Sequence, residues 1–226
     1  MSLPLSQQTI IEKSRQFVQD YFQLEGTGHD WWHTQRVCKM ALKIAEKIQA
    51  DPFIVEMAAL FHDVGDYKFF QGNEKKGLLL INDFLDSLHL SPDVAQNIIN
   101  IVEHVSFMKT LEHEQTSNSV KKSKAFMAVS DADRLDAMGA IGVARAFTYG
   151  GYYRRPIYDP NIPPVKNLSK DEYKTTQAPS INHFYEKLLK LKDMMVTDYA
   201  REIALGRDRF LRIFLEQFYS EWEGKR

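Results

Sequence analysis

The chain lacks most of the features that would take it out of the ordinary globular class. It has one cysteine in 226 residues, so no internal disulfide can form, which fits a reducing compartment and argues against a secreted, cross-linked scaffold. That cysteine, Cys38, has Val37, Met40 and Ala41 as sequence neighbours, the setting of a small buried hydrophobe and not of a reactive thiol. No stretch approaches the ~20 apolar residues of a membrane span, and Met1 to Ile11 has neither the basic start nor the apolar run of a signal peptide. A cytoplasmic location is therefore expected. There is also no excess of charge: 29 Lys and Arg against 30 Asp and Glu leave a formal net charge of -1. Such a field neither favours nor forbids a polyanion, so nucleic-acid binding is not indicated and any anion recognition must be local.

Sustained period-two alternation is missing as well, while apolar residues recur at helical spacing nearly everywhere. The expected fold is all-α, a single compact helical domain over residues 1–226. The first helix is placed at about Ser6 to Leu24 and the second at about Trp32 to Ala50, with His29 as a candidate cap. Asp51-Pro52 and Ser91-Pro92 each pair an N-cap with proline at the first helical position. The first opens a short helix ending at His62-Asp63, and the second opens an apolar helix that reads as interior. Further helices are expected around Val120 to Ser130 and Asp136 to Thr148. The proline-rich stretch Tyr152 to Pro179 reads as a long loop of the kind that forms lids or stays disordered. Beyond it, Phe184, Leu188, Leu191 and Met195, then Phe210, Phe214, Phe218 and Trp222, form packing stripes for closing helices at about 180–222.

Potential metal donors concentrate in three places: His29-Asp30 with His33, His62-Asp63 with Asp66, and Asp131 with Asp133 and Asp136. Each lies beside an apolar helical pattern, where an imidazole or carboxylate taken out of water needs a partner. A shared divalent cation would supply one. A mixed nitrogen and oxygen donor set suits Mn, Mg, Ni, Co, Fe or Zn, and open coordination positions on such an ion permit hydrolysis.

In this order the segments His33, Ala59-Leu60-Phe61-His62-Asp63-Val64-Gly65-Asp66 and Asp131-Ala132-Asp133-Arg134-Leu135-Asp136 resemble the HD-domain superfamily of metal-dependent phosphohydrolases. Gly139-Ala140-Ile141-Gly142 through Phe147, with Ile181-Asn182-His183-Phe184, extends the likeness to a group of small bacterial HD hydrolases. The resemblance implies that His33, His62, Asp63 and Asp133 hold the metal. Asp131 is the competing ligand; the Ala132-Asp133-Arg134 context favours Asp133 and leaves Asp131 to orient a ligand or water. Asp66 is assigned general acid/base work beside Asp63, and His104 a place against phosphate or a second ion.

Phosphate also needs compensating charge. Arg36 lies one helical turn after His33, Lys68 follows the catalytic segment, and Arg145 lies on a helix beyond the last donor, which makes all three candidate contacts. The resemblance implies a nucleotide substrate, with cleavage of a nucleoside triphosphate to monophosphate and pyrophosphate as the leading expectation. A cyclic-nucleotide or alarmone hydrolase is the alternative enzyme. A non-catalytic nucleotide-binding regulator and an iron-dependent HD-like oxygenase are the alternatives of other classes. The C-terminal apolar stripes are compatible with a homodimer.

Overall fold

The computed structural model describes residues 6–64, 74–105, 123–165 and 178–225, and among them every regular element is helical, with no strand. Three signals written in the sequence start the first three helices. Helix α1, Gln7–Tyr21, is capped by Ser6, whose Oγ accepts the Thr9 N–H at 3.2 Å. Helix α2, Trp31–Ile48, is capped by Asp30 and not by His29; Asp30 Oδ1 accepts the His33 N–H at 2.8 Å. Helix α3, Pro52–Phe61, has proline in its first turn and Asp51 Oδ1 accepting from Phe53 and Ile54 at 2.9 and 3.3 Å. Each cap satisfies N–H groups that have no partner within their own helix.

The remaining elements are α4, Glu74–Ser87, α5, Pro92–His104, α6, Lys124–Asp136, α7, Gly139–Tyr152, α8, Ser180–Glu186, a 3₁₀ segment at Leu188–Met194, and α9, Asp198–Trp222. Helix α4 is absent from the sequence reading. Its Leu78-Leu79-Leu80-Ile81 run has no helical period of its own, and Gly77 weakens the propensity further. Its inward face is marked by burial, with Ile81 and Leu85 turned to the core and Leu88 following just past its end. Helix α6 likewise runs past Ser130, the expected end, to Asp136, the expected start of the next helix, which begins instead at Gly139. No helix is long and apolar enough to cross a membrane among the described residues.

Packing divides the chain into two units, one of residues 1–25 and 29–132, the other of 26–28 and 133–226. In the first, α3 is the interior element, packed by α1, α2 and α5, and every residue from Phe53 to Phe61 is buried. A helix apolar all round can only be interior. Helix α5, read as interior, buries one face only, through Ile98, Ile101 and Val102. Phe17 links α1 to this core by stacking on Phe84 with ring centroids 4.1 Å apart.

The second unit is built on α9, which packs against α7 and the 3₁₀ segment. Phe214 stacks on Phe184 at 5.4 Å, whereas Phe210 and Trp222 are half exposed and so do not act purely as packing residues. The segment 153–165 is fastened to this unit, unlike a free lid. Pro156 and Ile157 carbonyls accept from the N–H groups of Ser180 and Ile181 at 2.9 and 3.0 Å. Asn182 Nδ2 donates to the Ile162 carbonyl at 2.8 Å, and Glu186 Oε1 accepts from the Val165 N–H at 3.1 Å. Tyr158 lies edge-on to Phe218, Tyr219 and Trp222, nearest Trp222 at 4.9 Å. The rest of the expected loop, 166–177, lies outside the described residues.

Candidate metal centre

Two helix ends deliver the first donors. His33 sits in the first turn of α2, held there by Asp30, and is fully buried. His62 follows the last residue of α3 and is 5% exposed, with Asp63 next in the chain. The same register that buries α3 on all sides therefore carries the His62-Asp63 doublet into the interior. His62 Nδ1–H donates to the Ala59 carbonyl at 2.8 Å, which fixes the ring and leaves Nε2 as the lone-pair nitrogen of the neutral imidazole.

His33 Nε2 lies 3.1 Å from His62 Nε2, and Asp63 Oδ2 lies 3.2 Å from the former and 3.4 Å from the latter. Ligand bonds of about 2.0–2.2 Å set at 90–109° hold neighbouring donors roughly 2.9–3.5 Å apart, so this triangle has the dimensions of three ligands on one ion. Asp63 Oδ2 is buried without a hydrogen-bond partner. An orphaned carboxylate oxygen facing two imidazole nitrogens is costly unless a cation or proton joins them. The residues present thus fit a divalent metal.

The electrostatics agree. Burial alone would push the Asp63 carboxyl up, but the charge of His62, the contact with His33 and the charges of His29 and His33 overcome it and hold the group well below the usual carboxylate range. His29, grouped with His33 in the sequence and offered there also as a helix cap, enters here. Its ring meets His33 edge-on with centroids 5.8 Å apart.

The other sequence candidates are placed as follows. Asp133 is half-buried on α6, two residues beyond the fully buried Asp131. Positions two apart on a helix point to different sides, so the backbone offers these two carboxylates in different directions. Arg36 is half-buried on α2, one turn after His33. His104 ends α5, its Nδ1–H donating to the Asn100 carbonyl at 2.8 Å. Arg145, on α7, donates through Nε to the Gly28 carbonyl at 2.9 Å and through an Nη to Asp136 at 3.1 Å. Asp66 and Lys68 lie outside the described residues.

Comparison with known proteins places these features in a wider group. The HD domain family model matches residues 31–138. The uncharacterised protein YpgQ of Bacillus subtilis is 37% identical over 213 residues, 94% of each chain. A crystal structure of an HD-superfamily hydrolase from Bacillus thuringiensis superposes with a TM-score of 0.72 at 40% identity, covering 96% of this chain and 99% of that one. The crystal structure of Bacillus subtilis YpgQ in complex with ADP superposes with a TM-score of 0.70 at 31% identity, covering 93% and 97%.

Proposed function

The chain belongs to the HD-domain family and is a metal-dependent hydrolase; from that premise we propose that it is a phosphohydrolase acting on a nucleotide, and within that class a nucleoside triphosphate pyrophosphohydrolase. The observation that carries the reading is the triangle that Asp63 forms with the buried His33 and His62, with a carboxylate oxygen that lacks a hydrogen-bond partner. Binding of ADP by the related YpgQ supports a nucleotide as the ligand.

His33, His62 and Asp63 would hold the ion, with Asp133 as the fourth ligand. The bound ion would lower the pKa of a water and polarise a phosphoryl oxygen. Water is then added across the bond between the α- and β-phosphates, giving the monophosphate and pyrophosphate. His62 keeps its lone pair inward because Ala59 holds its other nitrogen. The neighbouring imidazoles hold the Asp63 carboxyl well below the usual carboxylate range, which favours the charged form that a cation needs. Asp66 takes the proton work of the water, and Arg36 and Lys68 balance phosphate charge. His104 supplies a further polar contact.

The test is a phosphate and pyrophosphate release screen over nucleoside mono-, di- and triphosphates and cyclic nucleotides, with Mn, Mg, Co, Ni, Fe or Zn, beside an Asp63→Ala control. Pyrophosphate and monophosphate in equal amounts from triphosphates, lost in the control, is the expected result. Release from cyclic nucleotides alone would replace the pyrophosphohydrolase reading, and no release with any metal would remove the phosphohydrolase.

A further inference from the structure

We propose that Arg145 is a positioning residue of the metal centre, a latch that ties the Gly28 carbonyl at the entry to α2 to Asp136 near the end of α6, and not a contact of the nucleotide phosphates. The inference rests on the metal-centre reading above and deepens it by naming what fixes the turn from which the chain enters α2.

Both ends of the latch are made by one guanidinium. Its Nε donates to the Gly28 carbonyl at 2.9 Å and an Nη to Asp136 Oδ2 at 3.1 Å. The ion pair is sheltered, with the Arg145 side chain 15% and the Asp136 side chain 6% exposed. Arginine suits this task because its donors form a rigid planar fork, so that fixing one partner fixes the direction of the other. A lysine ammonium has no such geometry.

The surroundings of each end are built for the contact. Gly28 adopts φ +89, a conformation that strains any residue with a Cβ, and its open face is covered by the Arg145 stem, whose Cγ would lie 3.6 Å from an added Cβ. From Gly28 the chain runs through His29 to Asp30, whose carboxylate holds the His33 N–H. The position of that carbonyl is therefore transmitted within five residues to a metal donor. At the other end, Asp136 lies one turn past Asp133 on the same helix, where positions three apart share a face. The end of α6 is secured a second and third time, by Arg207 donating to the Leu135 carbonyl and by Arg134 donating to the Met194 carbonyl at 3.0 Å. Three cationic side chains at the C-terminal end of one helix also complement its dipole. With two of its donor directions committed to partners in the protein, Arg145 is placed to hold structure.

The experiment compares the full chain with Arg145→Met, Arg145→Lys, Asp136→Asn and the Arg145→Met/Asp136→Asn double variant. Mn(II) binding to the metal-free protein is read from the free-ion paramagnetic resonance signal, and nucleotide kinetics are measured at saturating Mn(II). The latch predicts that each single variant weakens Mn(II) binding by about 10- to 100-fold, the range typical of residues that orient metal ligands. Because both side chains act as one device, the double variant should fall short of the product of the single effects. KM for nucleoside triphosphate at saturating metal should stay within about 2-fold. Arg145→Lys should fail to restore binding, since it keeps the charge but not the fork. Where Arg145→Met does not fold, Asp136→Asn and Arg145→Lys carry the same comparison. Unchanged Mn(II) binding with a KM raised about 10-fold or more would overturn the latch and make Arg145 a phosphate contact. A wild-type chain that binds no Mn(II) would remove the metal centre and the latch together, whereas wild-type binding that the variants leave unaltered would remove the latch alone.

Discussion

Asp63 combines three properties that rarely coincide: a largely enclosed carboxylate, a pKa held well below the usual range by the imidazoles around it, and an Oδ2 without a hydrogen-bond partner. Replacing it by asparagine keeps the shape and removes the charge, so Asp63→Asn should weaken Mn(II) binding by more than about 100-fold and abolish hydrolysis. Its circular dichroism should be unchanged; binding within about 3-fold of wild type would sink the ligand assignment. Cys38 makes the opposite case of a reactive group kept inert. Burial, and then the Glu56 charge, push its thiol up to about 12 against a smaller pull from Arg15. With the folded value raised above an unfolded value near 8.5, the stability it contributes is complete below about pH 8.5 and is lost as the pH climbs toward 12. At pH 8 a disulfide reagent should find no thiol in the native chain and one in denaturant, and rapid labelling of native protein would contradict the burial. The His62-Asp63 doublet was legible in sequence because adjacent donors end an apolar helix. His29 was legible only as a donor candidate near His33, since the edge-on contact of the two rings depends on how the turn before α2 is folded.

At the scale of elements, capping chemistry made α1 to α3 readable, because Ser6, Asp30 and Asp51 are local devices acting within three residues. Helix α4 and the interior standing of α3 over α5 were not readable in that way, because a run of adjacent leucines or valines is buried or exposed according to what packs on it. One close approach shows how little slack such packing leaves. Gly150 on α7 faces Ser180 at the start of α8 with no room for a Cβ, which would collide with the Ser180 hydroxyl. Gly150→Ala should therefore destabilise the protein by about 1–3 kcal/mol, the usual cost of overpacking. Ser180→Ala in the same chain should recover part of that loss in thermal or urea unfolding. A Gly150→Ala variant as stable as wild type would mean that α7 and α8 can separate freely.

For the whole molecule, the metal should act as a folding ligand, since the donors converge only in the native state. At Mn(II) one hundred times its dissociation constant, linkage adds about 2.7 kcal/mol of stability. In a chain of this size that corresponds to a Tm rise of roughly 5–10 °C. Calorimetry on wild type and Asp63→Asn with and without Mn(II) checks it, and an equal shift in both would place the ion elsewhere. By itself the sequence determined the helical class, the caps, the donor doublet and a near-neutral charge that leaves anion recognition to local groups, all of which depend on residue type and spacing along one stretch of chain. Only the tertiary structure decided that His33 and His62 meet at 3.1 Å, that Asp63 Oδ2 lies 3.2 Å from His33 with no hydrogen-bond partner of its own, and that Arg145 is engaged by Gly28 and Asp136. These contacts join residues 29, 30, 117 and 9 positions apart in the sequence, and no local propensity specifies the direction from which such partners arrive.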